Sequence, residues 1–357
     1  MSIKKVLLLG GTGAIGTYLT QILQGEELEV YVTSRSRHGG GKAHIHYLLC
    51  NAKDNDSLKE LCNTHWDAIV DFLSYKTDEL SKRLGFLLKS TDQYVFLSSA
   101  RVFANEEHPI KESSPRLLDV SKDKEYLKTD EYALTKARQE NLLQNSDSRN
   151  WTIVRPYITY GDKRLQLGVL EKEEWLYRAL HGRTVIFTKS IADRITSLAN
   201  GYDVALGISC ILGQVKALGE TYNLATPERH TWNDIAIIYN DIIMSKTGKS
   251  LKIKYVSVND FIKCRGKGLE YQVIYDRLFD RDFDTSKESE FVETEKFIKL
   301  RDGLTQCLSN FIYDGCPFKY ISWQHEAIKD KMVNEHTPLN EIKGVKNKIK
   351  YLITRYL

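Results

Sequence analysis

Short apolar runs alternate with amphipathic stretches through the first half of the chain. Val6 to Leu9, Glu29 to Thr33, Ile45 to Leu49, Ala68 to Leu73, Tyr94 to Ser98 and Thr152 to Val154 predict strands. Between them Ala14 to Gln24, Asp56 to Cys62, Asp78 to Leu88 and Lys124 to Gln144 predict helices. Strands and helices in alternation make a parallel sheet with helices on both faces, an α/β doubly wound fold. In the second half Trp175 to His181, Ala205 to Leu212, Trp232 to Thr247 and Val258 to Cys264 predict further helices, with a strand at Thr221 to Ala225. Beyond Lys287 the pattern is helical and charged. It ends in Ile342 to Leu357, where Val345, Ile349, Leu352, Ile353 and Tyr356 form one apolar face among lysines.

The first strand runs into Gly10-Gly11-Thr12-Gly13-Ala14-Ile15-Gly16 and then a helix. Gly10, Gly13 and Gly16 suit a tight turn, close approach of backbone N–H groups to a pyrophosphate, and intimate packing of helix on strand. Strand, turn and helix in that order lift the pattern above a bare motif, and a ligand-free turn is the weaker alternative. At the end of the second strand, Val32-Thr33-Ser34-Arg35-Ser36-Arg37 carries no carboxylate to hold adenosine ribose hydroxyls. Arg35, with Ser34 and Arg37, suits a 2′-phosphate instead, which favours NADP(H), with NAD(H) as the alternative. Solvated loop arginines are the bland alternative.

Composition narrows the class. At 357 residues the chain has room for a large core or two domains. With 51 Lys+Arg against 47 Asp+Glu, its net charge of +4 gives no reason to expect nucleic acid as a partner. Cys50, Cys62, Cys210, Cys264, Cys307 and Cys316 are scattered without a C-x-x-C pair, so neither a zinc site nor a disulfide scaffold is indicated and no metal is expected. The N-terminal apolar run is too short for a signal peptide or membrane span, which with the free cysteines leads to an expectation of a soluble, cytoplasmic protein. His44, His46 and His65 are read as surface histidines.

Tyr132 and Lys136 are one helical turn apart in Glu131-Tyr132-Ala133-Leu134-Thr135-Lys136, so both side chains fall on one face. Bringing a phenol from its ordinary pKa of ~10 to neutrality takes about three units, or roughly 4 kcal/mol of phenolate stabilisation, which an ammonium and a nicotinamide cation together can supply. Phe96-Leu97-Ser98-Ser99-Ala100-Arg101-Val102-Phe103 closes the fifth strand at the carboxyl edge of the sheet, the usual ligand side. There Ser99 is placed to share a substrate oxygen with Tyr132. Turn chemistry at the serines and an amphipathic surface pair at Tyr132 and Lys136 are the alternatives.

Together these segments resemble the extended branch of the short-chain dehydrogenase/reductase superfamily. Arg155-Pro156-Tyr157-Ile158-Thr159-Tyr160-Gly161 resembles that branch's R-P-x-x-x-Y-G strand end, and the likeness continues through Asp203-Val204-Ala205 and Gly219-Glu220-Thr221-Tyr222-Asn223-Leu224, over most of residues 1 to 290. The resemblance implies a Rossmann-like dinucleotide domain over 1–165, to which about 190–225 return. It further implies a smaller α+β substrate-binding region over 166–290 and a helical extension over 291–357. It makes Ser99, Tyr132 and Lys136 catalytic. Gly10, Gly13, Ala14, Ile15, Gly16, Ser34, Arg35, Arg37, Leu73 and Ser98 then bind cofactor with Tyr132 and Lys136. Ser99, Arg101, Tyr157, Arg194, Arg277 and Arg281 are the candidate substrate ligands. Departures are visible: Ser99 is followed by Ala100-Arg101 where the family's dehydratases carry Thr-Asp-Glu, and Phe103 stands for a tyrosine.

The expected activity is NADP(H)-dependent hydride transfer at a carbon of a nucleotide-diphosphate sugar, as a 4-keto-reductase. A 4-epimerase with retained cofactor uses the same residues. The alternative from another class is a non-catalytic nucleotide-binding scaffold. Arg277 and Arg281 have acidic neighbours, so structural ion pairs compete with diphosphate binding. Family habit suggests a homodimer. For the terminal helix, packing on its own chain is preferred to docking on a second subunit or an anionic membrane, and no membrane partner is expected.

Overall fold

The computed structural model describes residues 1, 3–26, 28–37, 43–265 and 268–357. Seven strands form one sheet: β1 (Lys5–Leu9), β2 (Glu29–Ser34), β3 (Ile45–Leu49), β4 (Trp66–Asp71), β5 (Thr91–Leu97), β6 (Trp151–Pro156) and β7 (Glu220–Leu224). Their order is β7-β6-β5-β4-β1-β2-β3 and every pairing is parallel. The apolar run of β1 reflects burial on both faces: Val6 and Leu8 enter one core, Leu7 and Leu9 the other. Each such side chain, fully removed from water, stabilises by about 1.5–3 kcal/mol.

Helices α1 (Ala14–Gln24), α2 (Asn55–Leu61), α3 (Thr77–Lys89), α4 (Tyr132–Gln144) and α5 (Gly201–Ile211) cover the two faces. Leu19 and Leu23 of α1 pack with Val204 and Ile208 of α5 in one core. Leu58, Leu80, Leu87 and Leu143, from α2, α3 and α4, fill the other. The strand order reverses between β1 and β4, which opens a crevice at their carboxyl ends.

The helix expected over Lys124 to Gln144 is two pieces. Asp123 caps a single turn, Lys124–Leu127, by accepting from the Glu125 and Tyr126 N–H groups. The Thr129 hydroxyl then donates to the Tyr126 carbonyl while accepting from the Glu131 N–H, and Glu131 caps a fresh start at Tyr132.

The described chain forms two compact units. The first is Met1–Thr159, Ser197–Pro227 and Asp282–Ile298; the second is Tyr160–Thr196, Glu228–Arg281 and Lys299–Leu357. These units depart from the expected boundaries in two places: 282–298 groups with the sheet unit, and Lys299–Leu357 groups with the second unit. Arg178 is one cause of the latter. Its buried guanidinium is held by Glu326 and Asp330 at 2.9 and 2.8 Å and by Glu335 at 3.0 Å, fastening the late helices to residue 178.

The second unit carries α6 (Trp232–Thr247), α7 (Val258–Arg265), α8 (Leu300–Tyr313), α9 (Trp323–Val333) and α10 (Val345–Tyr356). Two short ladders join them: Val185–Phe187 runs parallel to Ile253–Tyr255, and Ile195–Thr196 antiparallel to His230–Thr231. The last helix packs on its own chain, as expected, but through Tyr351 rather than through its apolar stripe. On α10 only Tyr351 is buried, and the apolar face Val345, Ile349, Leu352, Ile353 and Tyr356 is exposed.

Candidate functional site

Three properties of the glycine loop follow from what a side chain would meet there. Gly10 has φ +72° and sends its N–H to the Thr33 hydroxyl at 2.8 Å, tying the turn to β2. A Cβ on Gly16 would sit 2.5 Å from the Gly11 carbonyl oxygen, so only glycine lets α1 lie this close to the turn. At Gly13 the nearest atom to such a Cβ is 3.8 Å away. That residue is not sterically crowded and caps α1 without a side-chain bond, leaving the helix N-terminus available to an anion.

A cavity of about 310 Å3 lies against this turn, lined among others by Gly10, Gly13, Ser34, Arg35, Asn51, Lys53 and Leu73. Its two charged lining residues are both cations, Arg35 and Lys53, and no carboxylate lines it among the described residues. Arg37 is exposed in the irregular segment just after β2. Ala14 and Ile15 open α1, and Leu73 fixes the far wall through its N–H, which donates to Asp71 at 2.9 Å. These features fit a dinucleotide: a cradle that a Cβ would fill, an uncapped helix start, and cationic donors at the ribose end. Lys53 was not singled out in the sequence. It follows β3 by four residues, and only the pairing of β3 beside β2 brings it next to Arg35.

The second cluster is built on β5, the one-turn helix Ala100–Val102 and the start of α4. Lys136 is 3% exposed, and its ammonium donates to the Leu97 carbonyl at 2.7 Å. Its nitrogen lies 6.0 Å from the centre of the Tyr132 ring. Burial pulls the Lys136 pKa down from 10.5 to about 8, against the pull of Asp71 and Glu140, whose charges favour the ammonium. Tyr132 itself is 41% exposed, so its ring borders solvent while its partner is inside.

Asp71, fully buried at the end of β4, accepts from the Tyr94 hydroxyl at 2.8 Å. Burial raises its pKa, with the Leu73 and Tyr94 hydrogen bonds and the Lys136 charge opposing. Glu140, one turn beyond Lys136, takes Arg155 through Nε and Nη2 at 2.7 and 2.8 Å and Arg116 Nη1 at 3.1 Å. Burial would raise its pKa, yet Arg155, Ser98 and Arg116 hold it below the ordinary carboxylate value.

Ser98 and Ser99 divide their roles. The Ser98 hydroxyl donates to Glu140 at 2.5 Å and its N–H to the Val154 carbonyl at 2.8 Å, so both its donors are engaged within the protein. The Ser99 oxygen accepts from the Arg101 N–H at 3.3 Å and begins the short helix. Arg101 pairs with Glu131 and places its guanidinium carbon 5.1 Å from the Tyr132 ring centre. Glu131 meanwhile accepts from the Ala133 N–H at 2.7 Å. One carboxylate therefore starts the helix and holds a cation over the phenol. Glu131 went unnoticed because the sequence pattern read straight through it; its position just ahead of the helical run was the available signal. Tyr157 is buried with its ring 5.4 Å from that of Phe283.

The remaining predicted substrate residues belong to the second unit. Arg277 and Arg281 are buried; Arg277 pairs with Asp276 and donates to the Gly168 carbonyl at 3.0 Å, and Arg281 reaches Asp276 at 3.2 Å. Both guanidiniums are thus engaged with the buried Asp276 carboxylate, the structural ion pair that the sequence offered beside diphosphate binding. Arg194 keeps a guanidinium 42% exposed, 3.5 Å from Asp280. No group of three or more His, Cys, Asp and Glu that could hold a metal occurs among the described residues.

Residues 6–225 match the model of the NAD dependent epimerase/dehydratase family. Among curated proteins, the chain is 27% identical over 248 residues to the chloroplast stem-loop binding protein of 41 kDa b of Arabidopsis thaliana. That match covers 65% of this chain and 61% of the relative, so the chain spans less than two thirds of that protein. Among solved structures, an epimerase from Methanothermobacter thermautotrophicus superposes with a TM-score of 0.65 at 16% identity, over 88% of this chain and 94% of that one. UDP-glucuronic acid 4-epimerase from Bacillus cereus, in complex with NAD, gives 0.63 at 16% identity over 87% and 98%. At these identities the likeness to both structures is one of fold.

Proposed function

This chain belongs to the NAD-dependent epimerase/dehydratase family, an enzyme class within the extended short-chain dehydrogenases/reductases, and on that premise we propose hydride transfer at a carbon of a nucleotide-activated sugar, most directly C4, with NADP(H) as the dinucleotide. The observation that carries the proposal is the buried Lys136 ammonium one turn below the half-exposed phenol of Tyr132. When bound, the dinucleotide supplies or accepts the hydride.

The chain's own residues handle the proton. In the direction of reduction, Tyr132 donates its proton to the sugar carbonyl oxygen, and the phenolate left behind is stabilised by the charges of Lys136 and Arg101. Ser99 donates a hydrogen bond to the same oxygen and orients it. With the dinucleotide bound, Lys136 would also hold the nicotinamide ribose. In the reverse direction Tyr132 takes the proton back.

NADP(H) is favoured by Arg35, Lys53 and Ser34 around a cavity without a carboxylate. The family is named for NAD, so the two dinucleotides are the arms of the first test. A keto-reductase is preferred over a 4-epimerase for the same reason, since both would use one set of residues. The stem-loop binding in the Arabidopsis relative's name is not extended to this chain, whose net charge is +4. The experiment is to mix the protein with NADPH or NADH and a nucleotide-diphosphate 4-keto-sugar and to follow nicotinamide absorbance beside the mass of the sugar. Stoichiometric oxidation of NADPH supports the reductase. Interconversion of the corresponding hydroxy-sugars without net oxidation identifies the epimerase, and no turnover of either would leave the non-catalytic scaffold.

A further inference from the structure

We propose that α10 is an in-plane anchor for an anionic lipid surface, a role independent of the proposed reaction and opposite to the sequence-based expectation of no membrane partner. The helix is fastened to its own unit along one edge. The Tyr351 hydroxyl donates to Asp330 at 2.6 Å and accepts from the Thr337 N–H at 2.7 Å, and Arg355 donates to the Glu335 carbonyl at 3.1 Å. With that edge fixed, steps of about 100° per residue bring Leu352, Val345, Tyr356, Ile349 and Ile353 together in one arc. All five are exposed, from 37% at Leu352 to 73% at Val345.

A stripe of this kind on a soluble surface calls for an occupant. The charges say which. Lys346 and Lys350 flank the arc on one side, and Lys348 and Arg355 on the other, while residues 343–357 contain no acid. A second copy docking face to face would set each basic rim against its own image, because a two-fold contact pairs a patch with itself. An anionic bilayer complements both parts at once, accepting the apolar arc at the acyl boundary and the ammonium groups at the phosphates. The helix lies in the interface rather than crossing it, since no described helix is long and apolar enough to span.

The test is flotation of the full chain with vesicles of phosphatidylcholine alone and of phosphatidylcholine mixed equally with phosphatidylglycerol. The protein is expected to float with the mixed vesicles only. Lys346→Gln with Lys350→Gln should weaken partition by about 30-fold, at roughly fivefold per lysine. Ile349→Ser with Ile353→Ser should also lower partition, with the thermal midpoint unchanged because both positions are exposed. Equal flotation with both vesicles, or none, would overturn the proposal. So would a concentration-dependent dimer that the serine variant dissolves in the absence of lipid, which would assign the stripe to a second copy.

Discussion

Replacing Lys136 by methionine separates what the ammonium does for the reaction from what it costs the fold. Burial lowers its pKa from 10.5 to about 8, a fall that corresponds to roughly 3 kcal/mol. The sign follows from proton binding. Between about pH 8 and pH 10.5 the unfolded lysine holds its proton and the folded one does not, so this group makes stability rise with pH across that window; the full cost is present below about pH 8. Lys136→Met removes the dependence along with the charge. It also leaves the Leu97 carbonyl short of a donor and takes a cation away from Asp71 and Glu140, which offsets part of the gain at neutral pH. Relative to the variant, the parent should therefore gain roughly 2–3 kcal/mol between pH 7 and pH 10, or about 3–4 °C in the melting difference for a chain of this length. Thermal melts read by tryptophan fluorescence, with Trp66 and Trp151 in the sheet unit, measure this. Turnover should be lost at both pH values. A melting difference that is the same at pH 7 and pH 10 would refute the placement of a strained charge under Tyr132.

Three further outcomes are expected. Arg35→Ala and Lys53→Ala should each weaken NADPH about tenfold or more while changing NADH little, read by titration calorimetry; equal losses for both dinucleotides would remove the 2′-phosphate assignment. Glu140→Gln should lower stability by about 3–5 kcal/mol in denaturant melts, because Arg155 and Arg116 keep their charges without the carboxylate between them. Gly16→Ala forces a Cβ against the Gly11 carbonyl and should weaken binding of either dinucleotide, with circular dichroism showing the helical content retained.

The parallel sheet was legible because the central strands β1, β4, β5 and β6 are largely buried on both faces, and burial of that kind leaves continuous short runs rather than alternation. The glycine loop was legible for a different reason: Gly10 and Gly16 answer backbone requirements that no other residue meets. Long-range pairing was not legible. Lys53 becomes a candidate only when β3 lies beside β2, and Glu140 becomes the anchor of Ser98 only when α4 packs under β5 and β6. The pairing of Arg277 and Arg281 with Asp276 was only half legible, because a guanidinium near an aspartate in sequence reads alike as ligand or as partner until its burial is known. That the terminal helix packs on its own chain was anticipated, but the face it uses was not. Its apolar stripe has the period of a core-facing helix, yet Tyr351, off the stripe, is the residue that is buried.

The most direct test of the central claim is a single turnover. Protein loaded with NADPH is mixed with a nucleotide-diphosphate 4-keto-sugar, and the nicotinamide absorbance is followed for the parent and for Tyr132→Phe, with dinucleotide affinity measured beside it. Loss of the phenolic proton should slow hydride transfer by about 100-fold or more while NADPH binds as before. A Tyr132→Phe protein that binds the dinucleotide normally and transfers hydride at the parent rate would contradict the account.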